Sequence, residues 1–245
     1  MASSYRMNNY RRGKAVIINN KDFIAVNSRT GSTKDSTALG HCLSRLGFKI
    51  SLHEDQTRQQ TIDTLERVAH EDHTDADCLI VSMMSHGGKD IICASDFDPS
   101  GGTGLLTLDD ITDPFKGDNC PSLAGKPKIF IINACRGDNI DLGVEECDQV
   151  DSISSNKVPV QADFFIFYSC SDGYTSIREE STGSYFIQDL CRVFNEYGRL
   201  LRLGELALKV KQIVAARLLL IDGCSDREMQ MPVTVDTLRK LVYFT

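Results

Sequence analysis

Two hydrophobic patterns alternate along this chain: short apolar runs, and longer segments with apolar residues at helical spacing. Residues 78–84 and 128–133 are almost continuously apolar. Strands that are buried on both faces of a parallel sheet have this pattern. Residues 32–46 and about 56–71 instead carry apolar side chains three or four positions apart, as amphipathic helices do. The alternation predicts an α/β fold, a mostly parallel sheet with helices on both faces.

The same criteria place the remaining elements. The predicted strands are residues 13–19, 48–52, 78–84, 128–133, 163–169 and 241–244. The predicted helices are residues 32–46, 56–71, 184–197 and 203–219, with a short one near 108–115. On the first helix, the side chains expected to face the sheet are Ala38, Leu39, Cys42 and Leu46.

Between residues 138 and 159 the composition changes. This stretch is acidic and then serine-rich, with few side chains to bury. Such a segment cannot offset the entropy of ordering it, and proteolytic nicking concentrates in segments of this kind. We therefore expect an exposed linker here.

Composition and charge exclude several classes of protein. The net charge of -7 disfavours general nucleic-acid binding, which needs a basic face. No apolar run is long enough to span a membrane, and residues 1–14 are polar and basic, unlike a secretory signal. Nine cysteines without a C-x-x-C pair favour a reduced, cytosolic protein over a disulfide framework.

No metal or other cofactor is expected. His70 and His73 lie three positions apart beside acidic residues, but such clusters usually form a solvated helix end. The glycines of residues 99–104 lack the Lys-Ser/Thr of a phosphate-binding loop and do not directly follow a strand. They indicate a surface loop.

Candidate chemistry lies at the ends of two predicted strands. Cys135 follows the run 128–133, and His86 follows the run 78–84. Ligands of open α/β sheets bind at the carboxyl ends of the strands, and a thiol beside an imidazole suits nucleophilic catalysis. The alternative for Cys135 is a core cysteine at a strand end, because free cysteine is among the most buried residue types.

Together these features resemble the caspases, cysteine proteases that cut after aspartate. The family signature Gln-Ala-Cys-Arg/Gln/Gly-Gly corresponds here to Asn133-Ala134-Cys135-Arg136-Gly137, and His86 lies 49 positions before the cysteine. Further matches in the same order are Ser28-Arg29, Ser85-His86-Gly87, Gly125-Lys126-Pro127-Lys128, Val158-Pro159, Ala162-Asp163-Phe164, Gly173-Tyr174, Ser176-Ile177-Arg178, Gly183 to Gln188 and Leu241 to Phe244. The resemblance implies a caspase-like three-layer sandwich with a six-stranded, mostly parallel sheet, as one domain of residues 1–245.

The resemblance also implies roles for site residues. Cys135 is expected to be the nucleophile, and His86 to give a proton to the departing amine. The backbone N–H groups of Gly87 and Cys135 are expected to hold the oxyanion, and a side chain at Gly87 would crowd the incoming carbonyl. Gly87 also fits a tight turn after the strand, and both roles are compatible.

Specificity for aspartate needs a cationic pocket. Arg29 and Arg178 match the two family arginines that hold the substrate, and guanidinium groups suit carboxylates bidentately. By resemblance, Arg29 holds the aspartate, while Arg178 holds the aspartate and the peptide backbone. The other expected substrate-binding residues are Asn133, Thr175, Ser176 and Ile177.

Three features depart from the family pattern. Asn133 replaces the family glutamine and withdraws the amide by one methylene, at a cost of about 1.5–3 kcal/mol if one hydrogen bond to a charged group is lost. Thr175 and Ile177 stand where the family usually has Tyr and Trp, which implies a roomier, less aromatic groove. The segment 218–231 is shorter than the corresponding loop of many family members, which implies a thinner outer subsite. An alternative to the active enzyme is therefore a decoy that pairs with an active caspase and regulates it.

The linker resembles a processing site. Asp148-Gln149-Val150-Asp151 has the Asp-x-x-Asp form that executioner caspases cleave, and Asp148 is a second candidate. A cut at Asp151 would give a large subunit of residues 1–151 and a small one of residues 152–245. About a dozen residues precede the first strand, which resembles a short-prodomain zymogen. The family further implies apoptosis, protein substrates with exposed aspartate loops, an upstream caspase, inhibitor proteins, and a homodimer or heterodimer paired through the last strand.

Overall fold

The computed structural model describes residues 3–139, 162–217, 219–220 and 227–245. The strands are β1 (Lys14–Asn19), β2 (Lys49–Glu54), β3 (Leu79–Met84), β4 (Gly87–Gly88), β5 (Ile91–Asp98), β6 (Thr103–Leu106), β7 (Lys128–Asn133), β8 (Phe164–Tyr168), β9 (Arg178–Glu179), β10 (Gly183–Ser184), β11 (Leu219–Leu220), β12 (Arg227–Glu228) and β13 (Val233–Asp236). The α-helices are α1 (Ser32–Arg45), α2 (Arg58–Ala69), α3 (Leu108–Thr112), α4 (Tyr185–Tyr197) and α5 (Leu203–Ala215). Two short 3₁₀ turns cover Asp113–Phe115 and Pro121–Leu123.

Six of the strands form one sheet in the order β13-β8-β7-β3-β1-β2. All neighbours pair in parallel except β13, which runs antiparallel to β8. The predicted fold class is thus confirmed. In the centre of the sheet, Met84 at the end of β3 pairs with Asn133 at the end of β7. The residues that follow these two strands therefore emerge side by side.

Helices cover both faces of the sheet because its central strands are apolar on both sides. Alternate residues of β1 contribute to different apolar clusters: Ala15 and Ile17 to one, Val16 and Ile18 to the other. The first cluster also takes in α1, α4 and α5, and the second takes in α2 and α3. Each β1 side chain from Ala15 to Ile18 thus packs against a helical layer, as expected for a strand with a continuous apolar run.

The prediction of a final strand at residues 241–244 is wrong. The sixth strand of the sheet is β13, and the terminal segment forms only isolated bridges at Leu241 and Tyr243. Val242 and Phe244 are nonetheless buried, and the Phe244 ring packs against Phe48 with the centroids 5.8 Å apart. Alternate residues are buried here because the segment packs against the helical layer, so the pattern imitates a strand.

Some predictions fall outside the described residues. The two processing candidates, Asp148 and Asp151, the linker from residue 140 onwards and the subunit boundary all lie there, as does part of the segment 218–231. In the part of the chain that the structure describes, no helix is long and apolar enough to cross a membrane. The imidazoles of His70 and His73 each contact a backbone carbonyl, those of Glu66 and Val68.

Candidate active site

The site begins where β3 and β7 end together. Ser85 donates its backbone N–H to the carbonyl of Asn133 at 3.2 Å, which extends the pairing of the two strands by one residue. His86 directly follows Ser85, and Cys135 lies two residues after Asn133. The sheet therefore delivers the two predicted catalytic side chains to one edge, from adjacent strands.

A second loop fixes the position of Cys135. The backbone N–H of Arg136 donates to Tyr174 at 2.9 Å, and that of Gly173 donates to Arg136 at 3.0 Å. This close pairing requires glycine at position 137, where an added Cβ would lie 2.3 Å from the Gly173 carbonyl oxygen. As a result, the N–H of Ser176 reaches the Sγ of Cys135 at 3.3 Å.

His86 is held by a backbone carbonyl. Its Nε2 lies 2.8 Å from the carbonyl oxygen of Asn27, and its ring lies 4.8 Å from that of Phe23 between centroids. A carbonyl only accepts, so Nε2 carries a proton and Nδ1 is left with its lone pair in the neutral ring. Burial lowers the pKa of His86, the bond to Asn27 opposes this, and the charges of Arg29 and Arg178 lower the pKa further.

Gly87 lies close against the backbone of Cys135. A Cβ built on Gly87 would lie 2.7 Å from the Cys135 carbonyl oxygen, 2.9 Å from that of Ile91 and 3.0 Å from the Cβ of Ala134. Two of these atoms belong to the backbone and cannot rotate away. Only glycine fits here without moving the chain that carries Cys135.

Four of the six predicted substrate-binding residues surround a small cavity beside Cys135. The cavity has a volume of about 120 Å³ and is lined by Arg29, Ser85, His86, Asn133, Ala134, Cys135, Ser176, Arg178 and Ser184. It is large enough for a short polar side chain. The structure thus brings together Arg29, Asn133, Ser176 and Arg178 with the Cys135–His86 pair.

The charge of this cavity is positive. Arg29 is only 3% exposed and donates to the carbonyl of Asn20 at 2.9 Å, while Arg178 donates to the carbonyl of Thr30. Burial and the charge of Arg178 lower the pKa of Arg29 to about 10, against opposing contributions from Asp35 and Cys135. Among the residues described, neither guanidinium forms an ion pair with a carboxylate. Two unneutralised cations in a near-buried cavity favour an anionic ligand.

Asn133 is fixed by two hydroxyl groups. Its Nδ2 donates to Ser184 Oγ at 3.0 Å, and its Oδ1 accepts from Ser176 Oγ at 3.2 Å. Ser176 therefore contacts the pocket amide with its side chain and Cys135 with its backbone. These two hydrogen bonds fix the orientation of the Asn133 side chain, and the sequence alone did not indicate them.

Thr175 and Ile177 do not line the cavity. Thr175 Oγ1 donates to Glu228 Oε1 at 2.9 Å, and the buried Ile177 donates its N–H to Gln230 Oε1 at 2.7 Å. Gln230 in turn donates to the Ser169 carbonyl at 2.6 Å. Gln230 thus connects the segment that carries Ile177 to the end of β8. The sequence analysis did not identify this residue.

The sequence analysis also did not identify two groups that act on site residues: Asp35, whose charge acts on Arg29, and the carbonyl of Asn27, which binds His86. Asp35 is buried on α1, four positions before Leu39. A carboxylate on the inward-facing stripe of a helix is a signal that could have been read. The Asn27 carbonyl carries no side-chain signal, because any residue supplies one.

Comparison with known proteins places this site in a family. The family model of the caspase domain, Peptidase C14, matches residues 12–243. The chain belongs to the caspase family. It is 35% identical over 248 residues to caspase-3 of Oryctolagus cuniculus, with 99% of this chain and 87% of the relative covered. It is 34% identical over 255 residues to caspase-7 of Gallus gallus, covering 98% of this chain and 79% of the relative.

The caspase fold is shared as well. The crystal structure of caspase-1 from Spodoptera frugiperda superimposes with a TM-score of 0.89 at 33% identity, covering 99% of this chain and 93% of that one. The predicted family, fold class and enzyme class are confirmed: the chain is a caspase-family protease, of the cysteine-type endopeptidases. Protein substrates and caspase dimerisation are general properties of that family.

Proposed function

We propose that this caspase hydrolyses peptide bonds after aspartate through a thioester on Cys135. The observation that carries the proposal is the composition of the 120 Å³ cavity, where two cations and an amide adjoin Cys135 and His86. The side-chain carboxylate of a substrate aspartate would contact Arg29, Arg178 and the Asn133 amide. The backbone carbonyl carbon of that aspartate would then lie beside the Cys135 thiol.

The neutral tautomer of His86 suits the proton transfers. The Cys135 thiol proton passes to Nδ1 while sulfur attacks the carbonyl carbon, and Nε2–H stays on the Asn27 carbonyl. The C–N bond then breaks, and the proton on Nδ1 goes to the leaving amine. Water attacks the resulting thioester, His86 takes its proton, and that proton returns to the departing sulfur.

The oxyanion of both tetrahedral adducts would accept from the N–H groups of Gly87 and Cys135. Donors that are already in place cost no reorganisation during the reaction. The close approach of Gly87 to the Cys135 backbone supports this assignment, because it brings the two segments that carry these donors next to each other.

We further propose the biological setting that the family suggests. The enzyme would be a cytosolic zymogen cut at Asp151, or at Asp148, into subunits of residues 1–151 and 152–245. It would act in apoptosis as a dimer of cleaved protomers. The exposed composition of the linker and its Asp-x-x-Asp sequence support the cutting site.

A catalytically weak decoy is the second candidate. It is favoured by Thr175 and Ile177, which stand where the family usually has aromatic residues and lie outside the cavity. Against it, Cys135 and His86 line the same cavity, and the Asn27 carbonyl holds the His86 ring in place. A pure binding partner would need neither side chain.

Turnover of a panel of fluorogenic tetrapeptides ending in Asp, Glu, Asn or Lys tests the proposal. Wild type is compared with Cys135→Ala and with the matched control Cys120→Ala, a buried cysteine of the second apolar cluster. Cleavage after Asp by wild type and the control, but not by Cys135→Ala, supports the enzyme. A folded wild type that cleaves nothing, even after another protease has cut the linker, supports the decoy.

A further inference from the structure

Asp35 is a fully buried carboxylate to which the proposed mechanism gives no step. Both its oxygens accept the backbone N–H of Ser184 at 3.0 Å, and Oδ1 also accepts Gln188 Nε2 at 2.7 Å. Burial raises the pKa of Asp35, and the hydrogen bonds from Gln188 and Ser184 hold part of that rise back. Burial of a charged carboxylate costs free energy unless hydrogen bonds offset it, and here Ser184 and Gln188 donate those bonds.

The chain approaches this carboxylate closely. Gly183 has a φ of +99°, and a Cβ there would lie 2.3 Å from Asp35 Oδ1. Glycine at 183 thus permits both the backbone conformation and the contact. These two features place the N–H of Ser184 against the Asp35 oxygens.

Ser184 passes this constraint on. Its Oγ accepts from Asn133 Nδ2 at 3.0 Å and from the Ile187 N–H at 3.3 Å, at the start of α4. A hydroxyl oxygen has two lone pairs, and these two donors occupy both. The hydroxyl proton is thus left for an acceptor, and a hydrogen bond from the Ser184 side chain is one of the interactions that lower the pKa of the adjacent Asp35 carboxylate.

The amide of Asn133 can then take one orientation only. Its nitrogen must face Ser184, because that oxygen acts there as an acceptor, and its Oδ1 accepts from Ser176. One proton of Nδ2 goes to Ser184, and the second is available to a carboxylate in the cavity. A reversed amide would present its oxygen to that carboxylate and repel it.

We propose that Asp35 is a positioning residue of the aspartate pocket: through Ser184 it fixes Asn133 with its N–H side available to the substrate carboxylate. This inference rests on the proposed specificity for aspartate. Asp35 itself does not line the cavity.

Asp35→Asn tests this chain of contacts from Asp35 through Ser184 to Asn133, called the relay below, with little change in the shape of the side chain. Gln188 requires an oxygen at Oδ1, so the new amide nitrogen replaces Oδ2 and sets an N–H against the Ser184 N–H. Ser184 is displaced, and the amide of Asn133 loses its fixed orientation. We expect kcat/KM for an Asp substrate to fall about 10- to 100-fold, the worth of one hydrogen bond to a charged group, chiefly through KM.

The decisive readout is the ratio of inhibition constants for two tetrapeptide aldehydes that end in Asp and in Asn. Loss of stability alone does not change this ratio at a temperature where every variant is folded. Asp163→Asn is the matched control, because Asp163 is also buried but binds Tyr5 and Arg239, away from the cavity. Ser184→Ala is the second variant, which removes the link and keeps the Asp35 charge.

A double-mutant cycle separates the relay from a general effect of charge. If Asp35 acts through Asn133, then Asp35→Asn costs less than about threefold once Asn133→Ala is present. An effect of the Asp35 charge on the arginines would be the same in both backgrounds. Full additivity would therefore overturn the proposal.

The outcomes distinguish this inference from the proposed function. We expect wild type and Asp163→Asn to prefer the Asp aldehyde, and Asp35→Asn and Ser184→Ala to lose at least about tenfold of that preference. A wild type without the preference would refute specificity for aspartate itself. A wild type that has it, with Ser184→Ala and folded Asp35→Asn keeping it, would refute the role of Asp35 alone. Should Asp35→Asn not fold, Ser184→Ala decides between these results.

Discussion

Adding one methyl group at Gly87 should separate catalysis from substrate binding. The Cβ of Gly87→Ala would stand 2.7 Å from the Cys135 carbonyl oxygen and 2.9 Å from that of Ile91, whereas ordinary contacts begin at 3.4 Å. Gly87 does not have a positive φ, so alanine suits the backbone conformation and only space is lacking. The strand β4 and the Cys135 segment must therefore move apart by about 0.5 Å or more.

That movement displaces both proposed oxyanion donors. Removal of one such donor costs about 10²- to 10³-fold in kcat, or about 2.7–4 kcal/mol. We expect Gly87→Ala to lower kcat by at least this amount. KM should change less than about threefold, because Arg29 and Arg178 lie on other segments of the chain and keep their contacts.

The neighbouring glycine supplies the control. A Cβ on Gly88 would meet only side-chain atoms of Ile91, at 3.4 and 3.5 Å, which is ordinary contact. Gly88→Ala should retain kcat within about threefold. Steady-state kinetics of both variants on one Asp tetrapeptide, well below each melting temperature, test this. Equal losses in the two variants, or a Gly87→Ala that loses only in KM, would refute the reasoning.

Three further predictions concern other parts of the molecule. Because burial lowers the pKa of His86, the acid limb of kcat/KM against pH should lie below pH 6.5, and a limb above pH 7 would contradict the assignment. Arg178→Lys should lower kcat/KM for Asp substrates about 10- to 100-fold while leaving the melting temperature unchanged, since a lysine cannot form the bidentate contact; equal rates for the two enzymes would argue against it. Burial opposes ionisation of Asp163, but the hydrogen bonds from Arg239 and Tyr5 outweigh this effect and lower the pKa of Asp163. The ionised carboxylate therefore stabilises the fold above about pH 4, and this contribution is lost as the pH falls through the pKa of Asp163 in the folded protein. Urea unfolding of Asp163→Asn should show a loss of about 1.5–3 kcal/mol at pH 7 that shrinks below pH 4, and a loss independent of pH would contradict it.

Much of the fold could be predicted because β3 and β7 are apolar on both faces. That pattern gave the parallel sheet and placed Cys135 and His86 at neighbouring strand ends. The final strand was misplaced because burial of Val242 and Phe244 against helices has the same period as burial in a sheet. Periodicity reports which side chains are buried, and it does not report what covers them.

The pocket was predictable in part, but from motifs and not from periodicity. Arg29, Asn133 and Arg178 were found through motifs, and the structure gathers them around one cavity. The residues that support this cavity were not found. Ser184 and Gln230 act through contacts between residues far apart in the chain, and the one signal of Asp35 was its place on the buried face of α1. The Asn27 carbonyl, which sets the tautomer of His86, leaves no trace in the sequence at all.

The most direct test of the central claim is to locate the covalent adduct of an Asp-terminated peptide fluoromethyl ketone by intact mass and peptide mapping. The account predicts one inhibitor per chain, attached to Cys135, with none on Cys135→Ala and much slower labelling by the same reagent ending in Lys. Labelling of another cysteine, or equal labelling by the Asp and Lys reagents, would contradict it.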